Sequence, residues 1–305
     1  MGTKSWTYRK WFRVPAMGHR SIAVLAFDGL DTLAQVRLDG NVILESDNMF
    51  VPHRVDVTNL VKSHGRHEIQ IQLDSALLRA REIQNAHPEH KWICWNGESA
   101  RLATRKAQYH WGWDWGPKLM SAGIWKPIRL EIFTAKIDNL RADINLASDQ
   151  ESATIDVSAT VATGDIEKVD FYVTITISLG IETADESSCQ VSSEGHVSSR
   201  LYVRAPSMWM PAGYGSQNLY EVHMKLFSRH VELHSESLRV GMRRVELIQN
   251  PDKYGQSFYF RVNGLDIFCG GSCWIPADIT LTNLSPGRYR AWIELMLAAN
   301  QIMVR

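Results

Sequence analysis

Strict alternation of apolar and polar residues is the feature that most narrows what this chain can become. Ile155, Val157, Ala159 and Val161 alternate with Asp156, Ser158 and Thr160, and Phe171, Val173, Ile175, Ile177 and Leu179 repeat the pattern. A period of two places every apolar side chain on one face of a strand, and that face must be buried against another layer. Ile22, Val24 and Ala26, then Ile69, Ile71 and Leu73, do the same earlier in the chain. Asp39-Gly40-Asn41, set between Val36/Leu38 and Val42/Ile43/Leu44, has the residue types of a tight hairpin turn. Leu201/Val203 and Tyr220/Val222/Met224/Leu226 complete a set of short strands at the spacing of a sandwich over 138–245. The polar stretch from Glu182 to Ser199 is expected to be an exposed loop.

The character changes near residue 246. Phe258, Phe260 and Val262 lead through Asn263-Gly264 into Ile267 and Phe268, which predicts a hairpin. Ser285 followed by Pro286 offers an N-cap and a first helical residue, and Tyr289, Trp292, Ile293 and Met296 fall at helical spacing. Ile302-Met303-Val304 then reads as the start of an apolar strand. A helix followed by a buried strand is half of a βα repeat, which needs neighbouring strands to complete its ladder. The chain is therefore expected to be mainly β, with one sandwich over 1–137, a second over 138–245, and a third domain that begins at 246 and is cut at 305.

A length of 305 residues admits two or three domains. Lys plus Arg and Asp plus Glu both number 33, so no global field favours nucleic acid or an anionic membrane, and a neutral partner such as a sugar fits better. The 11 tryptophans point the same way, because an indole face stacks on the C–H face of a pyranose. No run reaches the roughly 18 apolar residues of a membrane span, and the opening MGTKSWTYRKW lacks an apolar signal core. The expectation is a cytoplasmic protein as written, or a secreted or lysosomal one if residues precede it. Cys94, Cys189, Cys269 and Cys273 are too scattered for a disulfide framework or a zinc site, and His87 and His90 flank Pro88-Glu89 in a polar loop. With no phosphate-cradling glycine loop either, no metal and no cofactor is expected.

The densest constellation is Trp111-Gly112-Trp113-Asp114-Trp115-Gly116-Pro117. In an extended conformation the three tryptophans would share one face, leaving Asp114 between two glycines on the other, open to a ligand. The competing reading makes the tryptophans core and Asp114 the cap of the turn before Pro117.

RKAQYH (105–110) running into WGWDWGP, then Gly123-Ile124-Trp125, closely resembles the signature of β-mannosidases in glycoside hydrolase family two. FDGLDTLAQVRLDG, PAGYGSQNLY and RVNGLDIFCGGSCWIPAD agree in the same order. Met210 and Cys273 depart from it, standing where many relatives have tryptophan and asparagine. The resemblance implies a jelly-roll β-sandwich, an immunoglobulin-like β-sandwich and a TIM (β/α)8 barrel whose first elements are the tail. It also implies retaining hydrolysis of terminal β-mannose from oligosaccharides by two glutamates on the barrel.

Both glutamates are expected beyond Arg305, since the acid/base in these enzymes follows an asparagine and this chain has no Asn-Glu pair. Glu45, Asp47, Glu82, Glu89, Glu98 and Asp278 are scattered and form no persuasive pair of the kind glycoside hydrolysis needs. By the resemblance, Asp114 hydrogen-bonds sugar hydroxyls, Trp113 shapes the pocket, and Trp274 and Asp278 support the site. The alternative is a stand-alone carbohydrate-binding or structural module without catalysis. Against it stands the tail, whose apolar Trp292, Ile293 and Met303 such a module would not use. β-Galactosidases and β-glucuronidases share the architecture, but the tryptophan-flanked aspartate argues for the mannosidase branch.

Overall fold

A computed structural model describes residues 2–95, 97–164 and 171–305. The chain is mainly β and divides into two units, Met1–Phe133 with Ile275–Tyr289, and Thr134–Trp274 with Arg290–Arg305.

Among the described residues, nine strands build the first unit: β1 (Trp6–Arg13), β2 (Ile22–Phe27), β3 (Leu30–Asp31), β4 (Leu33–Leu38), β5 (Asn41–Ser46), β6 (His53–Asp56), β7 (Arg66–Asp74), β8 (Gly123–Ile124) and β9 (Ile128–Phe133). One sheet has the order β1-β7-β4-β5 and the other β6-β2-β9, while β3 pairs with β8. The alternation explains the layers. Ile69, Ile71 and Leu73 of β7 and Val36 and Leu38 of β4 turn inward to meet Ala23, Leu25 and Phe27 of β2. Each such side chain contributes about 1.5–3 kcal/mol by leaving water, which fixes the register, since a one-residue slip would expose the whole set. The β4–β5 turn is the predicted one, with Asp39 (φ 48°) and Gly40 (φ 86°) both left-handed.

The second unit holds β10 (Ala135–Leu146), β11 (Ser152–Thr163), β12 (Phe171–Leu179), β13 (Glu182–Gln190), β14 (His196–Arg204), β15 (Tyr220–Ser228) and β16 (Val231–Val240). Its sheets run β10-β11-β14 and β13-β12-β15-β16, and Ile155, Val157, Phe171, Val173, Ile175, Val222 and Met224 are buried in its core. Residues 182–199, expected as a loop, instead form β13 and the start of β14. β13 is an edge strand with a largely exposed polar sequence, so backbone pairing to β12 makes it a strand without any apolar face to announce it.

Two helices are prominent. α1 (Ala76–Ala86) was not expected; Ser75 caps it by accepting from the Leu78 N–H at 3.1 Å. α2 (Pro286–Ala298) is the predicted helix, with Ser285 Oγ accepting from the Arg288 N–H at 3.2 Å. The predicted hairpin pairs Tyr259–Val262 with Leu265–Ile267. On either side of α2 in sequence, Gly271–Ser272 and Met303–Val304 pair in parallel. No helix among the described residues is long and apolar enough to cross a membrane.

Candidate functional site

The tryptophan-rich segment lies in the first unit and is not extended. A short 3-10 helix, Gln108–Trp111, ends at Gly112, whose φ of 95° and ψ of 149° belong to a region open only to glycine. The chain then folds back on itself: Trp113 and Gly116 exchange backbone hydrogen bonds of 3.4 and 3.3 Å, leaving Asp114 and Trp115 at the tip of a four-residue turn. The three tryptophans therefore do not share a face. Trp111 is buried at 1% exposure beside Ala80 and Ala100, whereas Trp113 and Trp115 are 40% and 38% exposed.

Asp114 is exposed, and its carboxylate has no hydrogen-bond or ion-pair partner among the described residues. It does not cap its own turn. A carboxylate held at a tip, between partly exposed indoles and with its lone pairs unused, can accept hydroxyl donors from a ligand. Trp113 rests with one face over the Arg101 guanidinium, 5.1 Å from ring centroid to Cζ, and Trp115 leans on Tyr109 at 6.2 Å.

Beneath the turn lies a buried polar cluster. Lys106 Nζ donates to Asp31 Oδ1 and Oδ2 at 2.5 and 2.6 Å and to the Ser121 carbonyl at 2.8 Å. Ser121 Oγ donates to Asp31 Oδ2 at 2.7 Å, and Thr32 Oγ1 also donates to Asp31. Burial pulls the Lys106 ammonium below its ordinary range, and the Asp31 carboxylate opposes that shift. His110 is pushed down to about 4, first by burial and then by the positive charge of Lys106. It is thus a neutral imidazole whose Nε2–H donates to the Ile279 carbonyl at 3.3 Å.

That bond ties the 275–289 segment to the base of the turn. Gly116 belongs to the same contact, because a β-carbon there would stand 3.1 Å from Ile279 Cδ1. Asp278, next in line, spends its carboxylate locally: Oδ1 accepts from the Thr280 N–H at 2.8 Å and Oδ2 from Arg288 at 2.9 Å. These contacts, led by the Thr280 N–H, hold Asp278 below the usual carboxylate range. The other expected site residue, Trp274, belongs to the second unit, where its N–H donates to the Arg305 carbonyl at 2.7 Å. Asp31, Lys106, His110, Ser121 and Arg101 were not singled out as site residues by the sequence. Lys106 and His110 stand inside the RKAQYH string, but nothing local marks them as buried.

Residues 1–126 match the glycosyl hydrolase 2 galactose-binding domain-like family, and residues 135–243 match glycosyl hydrolases family 2. The chain belongs to glycosyl hydrolase family 2. It is 51% identical over 303 residues to Beta-mannosidase B of Emericella nidulans and 49% identical over 304 residues to that of Aspergillus clavatus. In each case 99% of this chain and 36% of the relative are covered, so the chain spans about a third of the length of the relatives it matches. A crystal structure of a β-D-mannosidase from Dictyoglomus thermophilum superposes with a TM-score of 0.90 at 31% identity, covering all of this chain and 37% of that one. A putative β-galactosidase from Bacteroides fragilis shares the fold, with a TM-score of 0.73 at 16% identity over 99% of this chain and 41% of that one.

Proposed function

We propose that this chain is the substrate-positioning portion of a retaining β-mannosidase that removes terminal β-D-mannose from oligosaccharides. The observation that carries the reading is Asp114: a carboxylate without a partner among the described residues, at the tip of a turn between two partly exposed tryptophans, in a chain about half identical to β-mannosidases. In this reading Asp114 accepts hydrogen bonds from sugar hydroxyls and Trp113 offers a face for the ring.

The family's sandwiches are then of jelly-roll type over 1–137 and immunoglobulin-like type over 138–245. Residues 246–305 open a TIM barrel. The parallel pairing of Gly271–Ser272 with Met303–Val304, with α2 between them in sequence, supports that assignment. The acid/base and nucleophile glutamates are carried elsewhere on the barrel, about 5–5.5 Å apart as retention requires. Trp274 and Asp278 act as supports. Asp278 does so by bracing its own loop through Thr280 and Arg288, which leaves it poorly placed to be a reacting acid.

The reading is tested by assaying an aryl β-mannoside with this chain alone and with the chain joined to a complete barrel. Residues 1–305 should show no turnover, and the extended enzyme should. Asp114→Ala in the extended enzyme should lower kcat/KM by about a hundredfold, because a contact that tightens at the transition state acts on rate. Its melting temperature should not move. Turnover by residues 1–305, or an unchanged rate in Asp114→Ala, would overturn the proposal.

A further inference from the structure

Arg101 is the most anomalous charge in the first unit. It is 6% exposed, and its Nε and Nη1 have no hydrogen-bond partner among the described residues. Buried guanidinium groups are ordinarily paired with a carboxylate, because an uncompensated buried cation is costly. Two carboxylates lie close by in sequence and neither serves. Glu98 is taken by Arg81 at 2.5 Å, and Asp114, next to the ring that Arg101 touches, has no partner among the described residues. What Arg101 does contact is the face of Trp113, at 5.1 Å. Its backbone is pinned from both sides: its N–H donates to the Glu98 carbonyl at 3.2 Å, and its own carbonyl accepts from Gln108 Nε2 at 3.1 Å.

We infer that Arg101 is a positioning residue whose guanidinium fixes the Trp113 indole by one face, so that the other is held ready for a pyranose ring beside Asp114. The sugar-facing half of this statement rests on the proposed role of the Asp114 turn; the fixing of the ring does not. A largely buried cation, with no anion among the described residues to share it, is drawn to the negative face of an indole more strongly than a solvated one. Leaving Asp114 unpaired is part of the same arrangement. A salt bridge between the two would quench the carboxylate that the ligand needs.

The test uses the whole 305-residue chain and three variants, Arg101→Met, Arg101→Lys and Trp113→Phe. The Trp113 indole N–H resonance is assigned by its loss in Trp113→Phe, and each protein is titrated with methyl β-D-mannoside while its melting temperature is recorded. A residue that merely stabilised the fold would take stability and ring order down together. Arg101→Met is expected to do the opposite: removing an unpaired buried charge leaves melting unchanged or raised, while the Trp113 resonance shifts and broadens. Arg101→Lys, which keeps the charge, should restore part of the native resonance. Where the native chain shows a sugar-dependent shift, Arg101→Met should weaken it by roughly two- to thirtyfold.

A Trp113 resonance identical in the native protein and Arg101→Met overturns the inference, whatever the sugar does. A changed resonance in Arg101→Met, with no sugar response in any of the proteins, upholds the positioning role and counts instead against the sugar-binding role of the turn.

Discussion

Lys106 Nζ stands 2.5 and 2.6 Å from the two carboxylate oxygens of Asp31, 75 residues away in sequence, and both side chains are sealed from solvent. The pair joins the short strand β3 to the segment that leads into the Asp114 turn. It is the root on which the exposed tip is mounted. A buried pair of this kind is a weak source of net stability, but it is costly to break on one side only.

Lys106→Met or Asp31→Leu should therefore each destabilise the first unit by about 3–5 kcal/mol, since each strands one buried partner. Urea unfolding checks this. Lys106→Met combined with Asp31→Leu should recover a large part of the loss, because no stranded charge remains. Additive losses in the double variant would show that the two side chains act independently.

The fold of the turn makes a second prediction, because it separates three tryptophans that an extended chain would have kept together. Trp111 is 1% exposed, so Trp111→Ala should cost about 3–5 kcal/mol. Trp115 is 38% exposed and lies tilted against Tyr109 at 6.2 Å between ring centroids, so Trp115→Ala should cost less than about 1 kcal/mol. Equal losses in thermal unfolding would contradict the turn.

What the sequence made legible was whatever repeats locally. The alternation in β7, β11 and β12 gave inward faces directly, and the Asp39-Gly40 and Asn263-Gly264 turns followed from residues suited to positive φ. The Ser285 cap was equally visible. α1 has a comparable signal in Ser75 and a run of helix formers, but its apolar stripe is thin, with only Ala76 and Ala80 buried, so periodicity does not announce it. β13 could not be read, since an edge strand needs no apolar face. At the candidate site, the motif drew attention to Asp114 but not to the buried residues around its turn. Asp31 meets Lys106, and His110 meets Ile279, across separations of 75 and 169 residues that no periodicity encodes. Arg101 reads as an ordinary surface cation until the fold buries it.

Gly112 is the hinge on which the turn direction depends. Its φ of 95° is strained for any L side chain, and a β-carbon there would fall 2.5 Å from Lys118 Cγ. Gly112→Ala should cost about 1–3 kcal/mol in thermal unfolding, and part of that should persist when Lys118→Ala removes the clash, because the backbone strain remains. Full recovery in the double variant would mean that crowding alone makes the glycine necessary.

His110 gives the chain a pH dependence with a definite sign. In the folded protein its pKa is pushed down to about 4 by burial and by Lys106, whereas in the unfolded chain it sits at its ordinary 6.5. Above that ordinary value the imidazole is neutral in both states and contributes no slope. As pH falls from 6.5 towards 4, the unfolded chain takes up a proton that the folded one refuses, so stability is lost across that window and the loss levels off below it. For a side chain 1% exposed to solvent, a depression of this size corresponds to about 3 kcal/mol. His110→Gln offers an amide N–H in place of Nε2 and cannot titrate, so the difference in unfolding free energy between it and the native chain should shrink or reverse in its favour as the pH is lowered from 7 to 4. A difference that stays constant over that range would mean that folding leaves the affinity of His110 for its proton unchanged.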